Sequence, residues 1–257
     1  LQERHRGFQE NAESPSIIKK KQDYKMQIDR LISEITNGHK DFDFEVYFSE
    51  VFHEKNGFDV VIANPPYIGE KGNKEIFRET KRGPLKKYYL RKMDIFYFFF
   101  HLSLNIAGNG GEISFITTNY YITADGAKKL RQDFKIRSII QRLINFNELK
   151  IFESAKGQHN MVTMLEKGFN INAIAKTAIT KRIGYANSEI LRKILHWQDE
   201  DTIYLGVPQK NFYETDKNYI RMGGNIGYMR TPTQKIFGKI KNNSKLLIDF
   251  CNINQVG

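Results

Sequence analysis

The stretch that decides the fold is FDVVIANPPY, residues 58–67. Its first part is a short apolar run, and such a run bounded by a turn signal predicts a buried, central strand of a parallel sheet. Because the two prolines lack the N–H that a strand ladder needs, the strand must stop before them. Open α/β sheets bind ligands at the carboxyl ends of their strands, so we expect Asn64, Pro65, Pro66 and Tyr67 to form a ligand site. A simple turn is the alternative, because Asn-Pro often marks one.

The composition narrows the class of protein. A chain of 257 residues, 40% of them hydrophobic, is long enough for one large domain or for one domain and part of another. The net charge of +11 favours a polyanionic partner such as nucleic acid, with a lysine-rich solubilising surface as the alternative. The lone Cys251 excludes an internal disulfide, and the scattered histidines predict no metal site. The longest apolar stretch, residues 95–104, is too short to span a bilayer, which predicts a soluble, intracellular protein without a membrane partner.

The order of predicted elements indicates one half of a doubly wound α/β sheet. The elements are a helix from residue 15 that ends near Asn37-Gly38, a half-buried strand over 42–48, a strand over 58–63, a buried helix over 94–106, a strand over 112–117, a helix over 123–134, and strands over 138–146 and 161–165. After Gly168 the pattern changes to short strand signals and a Lys-rich helix over 233–241. We therefore predict a catalytic domain over residues 1–168 and a second unit over residues 169–257.

The corner after the strand suits methyl transfer to the exocyclic amine of adenine, a poor nucleophile whose lone pair is delocalised into the ring. The side-chain oxygen of Asn64 and the carbonyl of Pro65 can accept its two hydrogens and orient it. Tyr67 can stack on the base, a contact worth roughly 1–3 kcal/mol. No residue needs a shifted pKa in this scheme, since positioning carries the chemistry. A base in duplex DNA would have to flip out to reach such a site.

Residues 58–68, FDVVIANPPYI, closely resemble the catalytic motif of gamma-class DNA adenine-N6 methyltransferases. More narrowly, they resemble the methylase part of type IIG restriction–modification enzymes, which fuse nuclease, methylase and target recognition in one chain. Residues 42–52, 94–96 and 110–117 are similar to the segments around that motif. Residues 150–152 resemble a later motif whose phenylalanine packs on the flipped adenine, so the resemblance implies that Phe152 faces Tyr67 across the base. An ordinary core aromatic is the alternative for Phe152.

The resemblance implies a Rossmann-like sheet, S-adenosylmethionine as methyl donor, double-stranded DNA as substrate, and the cytoplasm of a bacterium or archaeon as location. It also implies that residues 251–255 open a target-recognition domain. Family members carry a Phe-x-Gly-x-Gly loop upstream, where glycines let the backbone approach the cofactor. No such loop precedes Asn64, and the glycines at 108–111 stand between a helix and a strand. We therefore expect an interior fragment whose missing N-terminal part holds the cofactor, and expect the fragment alone to bind it poorly and to be inactive.

A basic segment follows the corner. Its candidate nucleic-acid contacts are Lys81, Arg82, Lys86, Lys87 and Arg91. Because the segment begins beside Tyr67, it could follow the phosphates that flank a flipped base. A solvated surface loop is the alternative.

Two other functions remain open. Related Asn-Pro-Pro-Tyr methyltransferases modify a protein glutamine or guanine in RNA, although the roughly 90 residues after Gly168 argue against them. A DNA-binding module that keeps a methylase-like scaffold without turnover is the non-enzymatic alternative. The sequence carries no nuclease signature of the Pro-Asp…Glu-x-Lys type.

Overall fold

The computed structural model describes residues 15–35, 42–81, 83–153 and 158–223 and divides the chain into two units, residues 1–54 and 55–257. The elements in chain order are α1 (Pro15–Ile35), α2 (Phe44–Tyr47), α3 (Ser49–Lys55), β1 (Phe58–Ala63), α4 (Ile76–Thr80), α5 (Phe96–Ile106), β2 (Ala107–Thr118), α6 (Lys128–Arg137), β3 (Ser138–Asn145), β4 (Leu149–Lys150), β5 (Asn160–Lys167), β6 (Ile174–Thr180), β7 (Gly184–Tyr185), α7 (Ser188–Leu195), β8 (Thr202–Pro208), β9 (Tyr213–Glu214) and β10 (Tyr219–Ile220).

The prediction of a strand over residues 42–48 is wrong, because α2 forms there. The side chain of Asp43 accepts a hydrogen bond from the Glu45 backbone N–H at 2.8 Å and so caps the helix. The alternating aromatic rings pack on one another instead of on a sheet: Phe42 stacks on Tyr47 with ring centroids 4.5 Å apart. Local capping and ring packing therefore override the apolar–polar alternation. The predicted helix from residue 15 is confirmed as α1, while its predicted stop lies outside the described residues.

The α/β fold class is confirmed. The main sheet has the strand order β1-β2-β5-β3-β6-β8. Neighbours β1–β2 and β3–β6 are parallel, while β5 runs antiparallel to both β2 and β3, and β8 runs antiparallel to β6. The carboxyl ends of β1, β2, β3 and β6 therefore meet at one edge of the sheet, together with the amino end of β5.

An aromatic core fixes the helices on this sheet. The predicted buried helix is confirmed as α5, whose Phe100 packs 4.5 Å from Phe115 of β2 and 5.0 Å from Phe134 of α6 between ring centroids. All three rings are essentially buried. Since β1 and β2 are hydrogen-bonded neighbours, this core also fixes the strand that leads into Asn64.

The predicted central position of β1 is wrong for the described part of the chain. There, β1 pairs with β2 on one side and with no strand on the other. Val60 is 54% exposed and Ile62 is 76% exposed, although both are strongly apolar. An apolar edge strand of this kind is ready to pair with another strand.

The sheet continues past Gly168. Strands β6 and β8 are hydrogen-bonded into the same sheet as β3, so residues 174–208 extend it. The division into a partial catalytic domain over residues 1–168 and a linker with the beginning of a target-recognition domain over residues 169–257 stays a prediction. The predicted helix over 233–241 and residues 251–255 lie outside the described residues.

Candidate functional site

The Asn-Pro-Pro-Tyr corner lies at the carboxyl edge of the sheet. The last pair between β1 and β2 joins Ala63 to Phe115, and the chain leaves the sheet at the next residue. Asn64 and Pro66 are exposed, Pro65 is buried, and Tyr67 is half-buried. The corner therefore presents a polar amide to solvent on a rigid support.

The hydroxyl of Tyr67 ties the corner together. Its oxygen lies 2.9 Å from Asn64 Oδ1 and 3.0 Å from the carbonyl oxygen of Ile116, and it can donate its one proton to either acceptor. The ring packs edge-on against Phe96, with centroids 6.3 Å apart. Burial raises the pKa of Tyr67, and the neighbouring Asn160 amide acts in the opposite direction. The hydroxyl therefore keeps its proton at neutral pH and can orient Asn64.

Further polar side chains surround this corner at the adjacent strand ends. Thr118, the last residue of β2, lies directly opposite Asn160, the first residue of β5. Both are buried, and Thr118 Oγ1 and Asn160 Nδ2 have no hydrogen-bond partner in the described part of the chain. Buried polar atoms without partners are uncommon and call for an explanation, such as a ligand or ordered water. The motif did not point to these residues; polar residues at the ends of apolar strands are the signal for them.

Phe152 lies two residues after β4 and is half-buried. Between described residues, no ring contact joins it to Tyr67, whose aromatic neighbour is Phe96. Residues 154–157, which follow Phe152, lie outside the described part of the chain. The role of Phe152 on the second face of a base stays a prediction.

The basic segment is an insertion with closed ends. The backbone N–H of Ile95 donates to the carbonyl of Ile68 at 2.9 Å, and that of Glu70 donates to the carbonyl of Met93 at 2.8 Å. We call residues 69–94, which these bonds enclose, the basic insertion. It starts two residues after Tyr67, so its base is anchored at the corner.

The predicted cations of the insertion have different surroundings. Lys81 is bound to Glu70 at 3.1 Å and lies 4.5 Å from the Tyr89 ring centroid, while Lys86, Lys87 and Arg91 are exposed. Arg82 lies outside the described residues. A cleft of about 790 Å³ is lined by Gly69, Glu70, Lys71, Lys74, Lys81, Tyr89, Arg91, Lys92, Met93 and Asp94. The folded insertion thus brings Lys71, Lys74 and Lys92 beside Lys81 and Arg91, whereas Lys86 and Lys87 do not line this cleft.

The glycines at 108–111 do not fit a cofactor loop. A Cβ on Gly111 would stand 2.7 Å from the carbonyl oxygen of Phe58, and a Cβ on Gly108 would stand 3.2 Å from the carbonyl oxygen of Lys55. These glycines allow close backbone packing at the amino end of β1, which is the end of the strand far from Asn64. The cavity beside them measures about 110 Å³, below the roughly 300–1,000 Å³ of small-molecule sites. The segment therefore does not fit S-adenosylmethionine.

The described residues offer neither a metal cluster nor a membrane-spanning helix. Within residues 15–35, 42–81, 83–153 and 158–223, no three His, Cys, Asp or Glu side chains are grouped as a metal ion would require. None of the helices described for this chain is both long and apolar enough to cross a bilayer.

Known proteins with similar sequences are methylases of restriction–modification systems. The chain is 31% identical to the type II methyltransferase M.HincII of Haemophilus influenzae over 124 residues. This aligned region covers 48% of this chain and 24% of that protein. It is 25% identical over 99 residues to the type II restriction enzyme and methyltransferase RM.Eco57I of Escherichia coli, covering 38% of this chain and 10% of that enzyme. The chain thus matches about a quarter or less of the length of these relatives.

A solved structure and a family profile complete the comparison. The type IIG restriction endonuclease BpuSI superposes with a TM-score of 0.41 at 16% identity, covering 72% of this chain and 22% of that chain. The profile of the Eco57I restriction-modification methylase family matches residues 7–152, which is more than half of the sequence. The chain therefore belongs to the Eco57I restriction-modification methylase family.

Proposed function

We propose that this chain carries the adenine-holding half of a DNA adenine-N6 methyltransferase that belongs to a restriction–modification enzyme. One observation carries the proposal: in a member of this methylase family, an exposed Asn64 stands at the carboxyl end of β1 and is held by Tyr67 at 2.9 Å. An amide, a proline carbonyl and an aromatic ring at one strand end form a site for a planar base with an amino group.

The chemistry follows from hydrogen bonding at the amino nitrogen. Asn64 Oδ1 has two lone pairs, so it can accept from the adenine amine as well as from Tyr67. The Pro65 carbonyl accepts no hydrogen bond from the described residues, which leaves it for the second amine hydrogen. Pro66 fixes the geometry of that carbonyl, and the ring of Tyr67 stacks on the base, with Phe152 proposed for its other face. These contacts hold the amine towards the donor by positioning, and the proton that the nitrogen must lose on methylation would leave to solvent.

S-adenosylmethionine is the proposed methyl donor, and it would supply an electrophilic methyl group. Since the glycines at 108–111 do not fit it, we propose that the N-terminal part of the same polypeptide holds it and pairs with β1. The exposed Val60 and Ile62 support this pairing. We expect calorimetry to show poor cofactor binding by the chain alone, and micromolar affinity would contradict this division of labour.

Double-stranded DNA is the proposed partner, and the location is the cytoplasm of a bacterium or archaeon. The net charge of +11 and the basic insertion, with Lys81, Arg82, Lys86, Lys87 and Arg91, support a polyanionic substrate. We propose that residues 169–257 lead, through a linker, into the beginning of a target-recognition domain.

The experiment identifies the methylated product. The complete polypeptide is incubated with labelled S-adenosylmethionine and, in separate reactions, with duplex DNA, ribosomal RNA or release-factor protein. Mass spectrometry of the hydrolysed products should show N6-methyladenine in DNA, and an Asn64→Ala control should show none. Methyl-glutamine or methyl-guanine would identify the alternative substrates. Salt-sensitive DNA binding without transfer would identify a methylase-like module, which the misfit of residues 108–111 to a cofactor also favours.

A further inference from the structure

A half-buried carboxylate near the start of the basic insertion bonds to several of its other residues. The side chain of Glu70 is 12% exposed, and its Oε1 accepts from the Tyr89 hydroxyl at 2.5 Å and from Lys81 Nζ at 3.1 Å. Its Oε2 accepts from the backbone N–H of Lys92 at 2.8 Å. One carboxylate therefore connects the beginning, the middle and the end of the insertion.

These bonds keep Glu70 ionised. Burial acts to raise its pKa, but the hydrogen bonds from Tyr89, Lys81 and the Lys92 backbone outweigh burial, and the pKa lies below its ordinary value. Hydrogen bonds to an ionised acceptor are about twice as strong as neutral ones. The ammonium group of Lys129 on α6 also donates two hydrogen bonds to the insertion, to the carbonyl of Lys87 at 2.6 Å and to that of Tyr89 at 3.0 Å. The described residues of the insertion thus form an arm that these bonds fix to the core.

The cations on this arm converge on the 790 Å³ cleft. Five of its lining side chains are cationic, and two, Glu70 and Asp94, are carboxylates. Within the described residues, the side chains of Lys71, Lys74 and Arg91 make no ion pair, so their charges face the cleft uncompensated. The charge of Glu70 is already engaged by its three donors, and the five cations outnumber the two carboxylates. The cleft therefore suits a ligand with repeated negative charge.

We propose that this cleft binds the phosphodiester backbone of the DNA strand that carries the target nucleotide. Lys71, Lys74 and Arg91 make the phosphate contacts, and Glu70 is a positioning residue that holds the arm in its binding geometry. The proposal rests on the proposed function for the identity of the strand. Its physical support is that the cationic lining of the cleft begins at Gly69, two residues after Tyr67, the residue proposed to stack on the base.

The substitution Glu70→Gln distinguishes a positioning role from long-range electrostatic attraction, because the two predict opposite changes in DNA affinity. Glu70→Gln removes a negative charge from a face that binds a polyanion, so long-range attraction alone predicts tighter DNA binding. A positioning role predicts the opposite, because an uncharged amide with one acceptor oxygen cannot replace the three hydrogen bonds that the carboxylate accepts. We expect the Kd for DNA to rise about tenfold, equivalent to ~1.4 kcal/mol, with a shallower dependence of affinity on salt and an unchanged rate of methyl transfer at saturating DNA.

Glu75→Gln is the matched control. Its side chain is 86% exposed, lies in the same insertion, and undergoes the same change of charge. We expect Glu75→Gln to bind DNA as tightly as the parent protein or slightly more tightly. Glu70→Asp keeps the charge on a shorter side chain and should fall between the parent and Glu70→Gln.

Equilibrium DNA binding is measured by fluorescence anisotropy over a range of salt concentrations, so turnover is not required. If Glu70→Gln and Glu75→Gln bind DNA equally tightly and with equal salt slopes, the positioning role of Glu70 is overturned. The proposed function still stands in that case if the unsubstituted protein transfers methyl groups to DNA. If the parent transfers no methyl to DNA but Glu70→Gln alone weakens DNA binding, the proposed function falls and the phosphate cleft stands.

A second variant covers the case in which Glu70→Gln does not fold. Lys71 and Lys74 are exposed and support no other residue in the described structure, so Lys71→Ala/Lys74→Ala should fold normally. Removing two phosphate contacts should lower the salt slope by about 1.8. An unchanged slope would contradict the cleft.

Discussion

Strands β1 and β3 are nearly alike in sequence character and differ sharply in environment. Both are rich in Ile, Val or Leu, both run in the same direction, and an asparagine stands at the same sheet edge in each case. Leu143 and Ile144 of β3 are buried between β5 and β6, whereas Ile62 of β1 is 76% exposed. An apolar sequence therefore favours burial, but the neighbouring strands decide whether the side chains are actually buried.

The two asparagines differ in the same way. Asn145 is buried, and its Oδ1 accepts from Asn119 Nδ2 at 3.1 Å and from the backbone N–H of Asn147 at 3.0 Å. Asn64 is exposed, and its hydrogen-bond partner among the described residues is Tyr67. We therefore expect Asn145 to stabilise the edge and Asn64 to serve a ligand.

The largest expected effect is on turnover at Asn64. Asn64→Ala in the complete polypeptide should lower kcat for methyl transfer by about 10²–10³-fold or more, because it removes an acceptor at the reacting amine. The free energy of unfolding should change by less than about 0.5 kcal/mol, since the side chain is exposed. Single-turnover kinetics and chemical denaturation measure the two quantities. Normal turnover would contradict the role assigned to Asn64.

The second effect separates the strands by stability. Leu143→Ala in β3 should lower the free energy of unfolding by about 2–5 kcal/mol, as a buried leucine leaves a cavity. Ile62→Ala in β1 should change it by less than about 0.5 kcal/mol in this chain. In the complete polypeptide, pairing of β1 with a further strand should raise the cost of Ile62→Ala towards that of Leu143→Ala. Equal, small costs in both forms would argue against the pairing.

The third effect concerns Asn145. Asn145→Ala should lower the free energy of unfolding by about 1–3 kcal/mol, because it leaves the donors of Asn119 and Asn147 without their acceptor. The kcat of the folded fraction should fall far less than in Asn64→Ala. A loss of kcat as large as that of Asn64→Ala would show that the two asparagines do not divide structure and chemistry in this way.

The smallest effect is a pH dependence in the core beside these strands. His101 on α5 is fully buried with Nδ1 2.6 Å from Asp133 Oδ2, and burial lowers its pKa despite the opposing effect of Asp133. Protonation therefore favours the unfolded state. Stability from this group is present above the ordinary histidine pKa of about 6.5 and is lost as pH falls below it. Denaturation of the parent and His101→Gln at pH 8 and pH 5.5 should show the extra acid loss in the parent alone.

Much of the fold could be predicted because it follows from local patterns. The apolar run before the prolines, the aromatic helix over 94–106 and the strands over 138–146 and 161–165 correspond to β1, α5, β3 and β5. The strand prediction over 42–48 was wrong because the side chain of Asp43 caps a short helix there, and the alternation of apolar and polar residues carries no information about capping.

The residues of the candidate site likewise differ in whether local sequence patterns can predict them. Asn64 and Tyr67 are readable from the motif, because prolines after an apolar run fix where the strand stops. Asn160 and Glu70 are not, because their importance depends on neighbours far along the chain: Asn160 opposite Thr118, and Glu70 beside Tyr89 and Lys92. A buried unpaired amide or a threefold-bonded carboxylate exists only after the chain has folded.

By itself, the sequence determined the α/β class, the end of β1 just before Asn64 and the excess of positive charge, since these depend on covalent properties and short-range periodicity. The tertiary structure decided that β1 lies at an edge, that Lys71 and Lys74 share a cleft with Arg91, and that Tyr67 holds Asn64. Burial, hydrogen-bond partners and electrostatic neighbours are relations between distant residues, so packing alone could fix them.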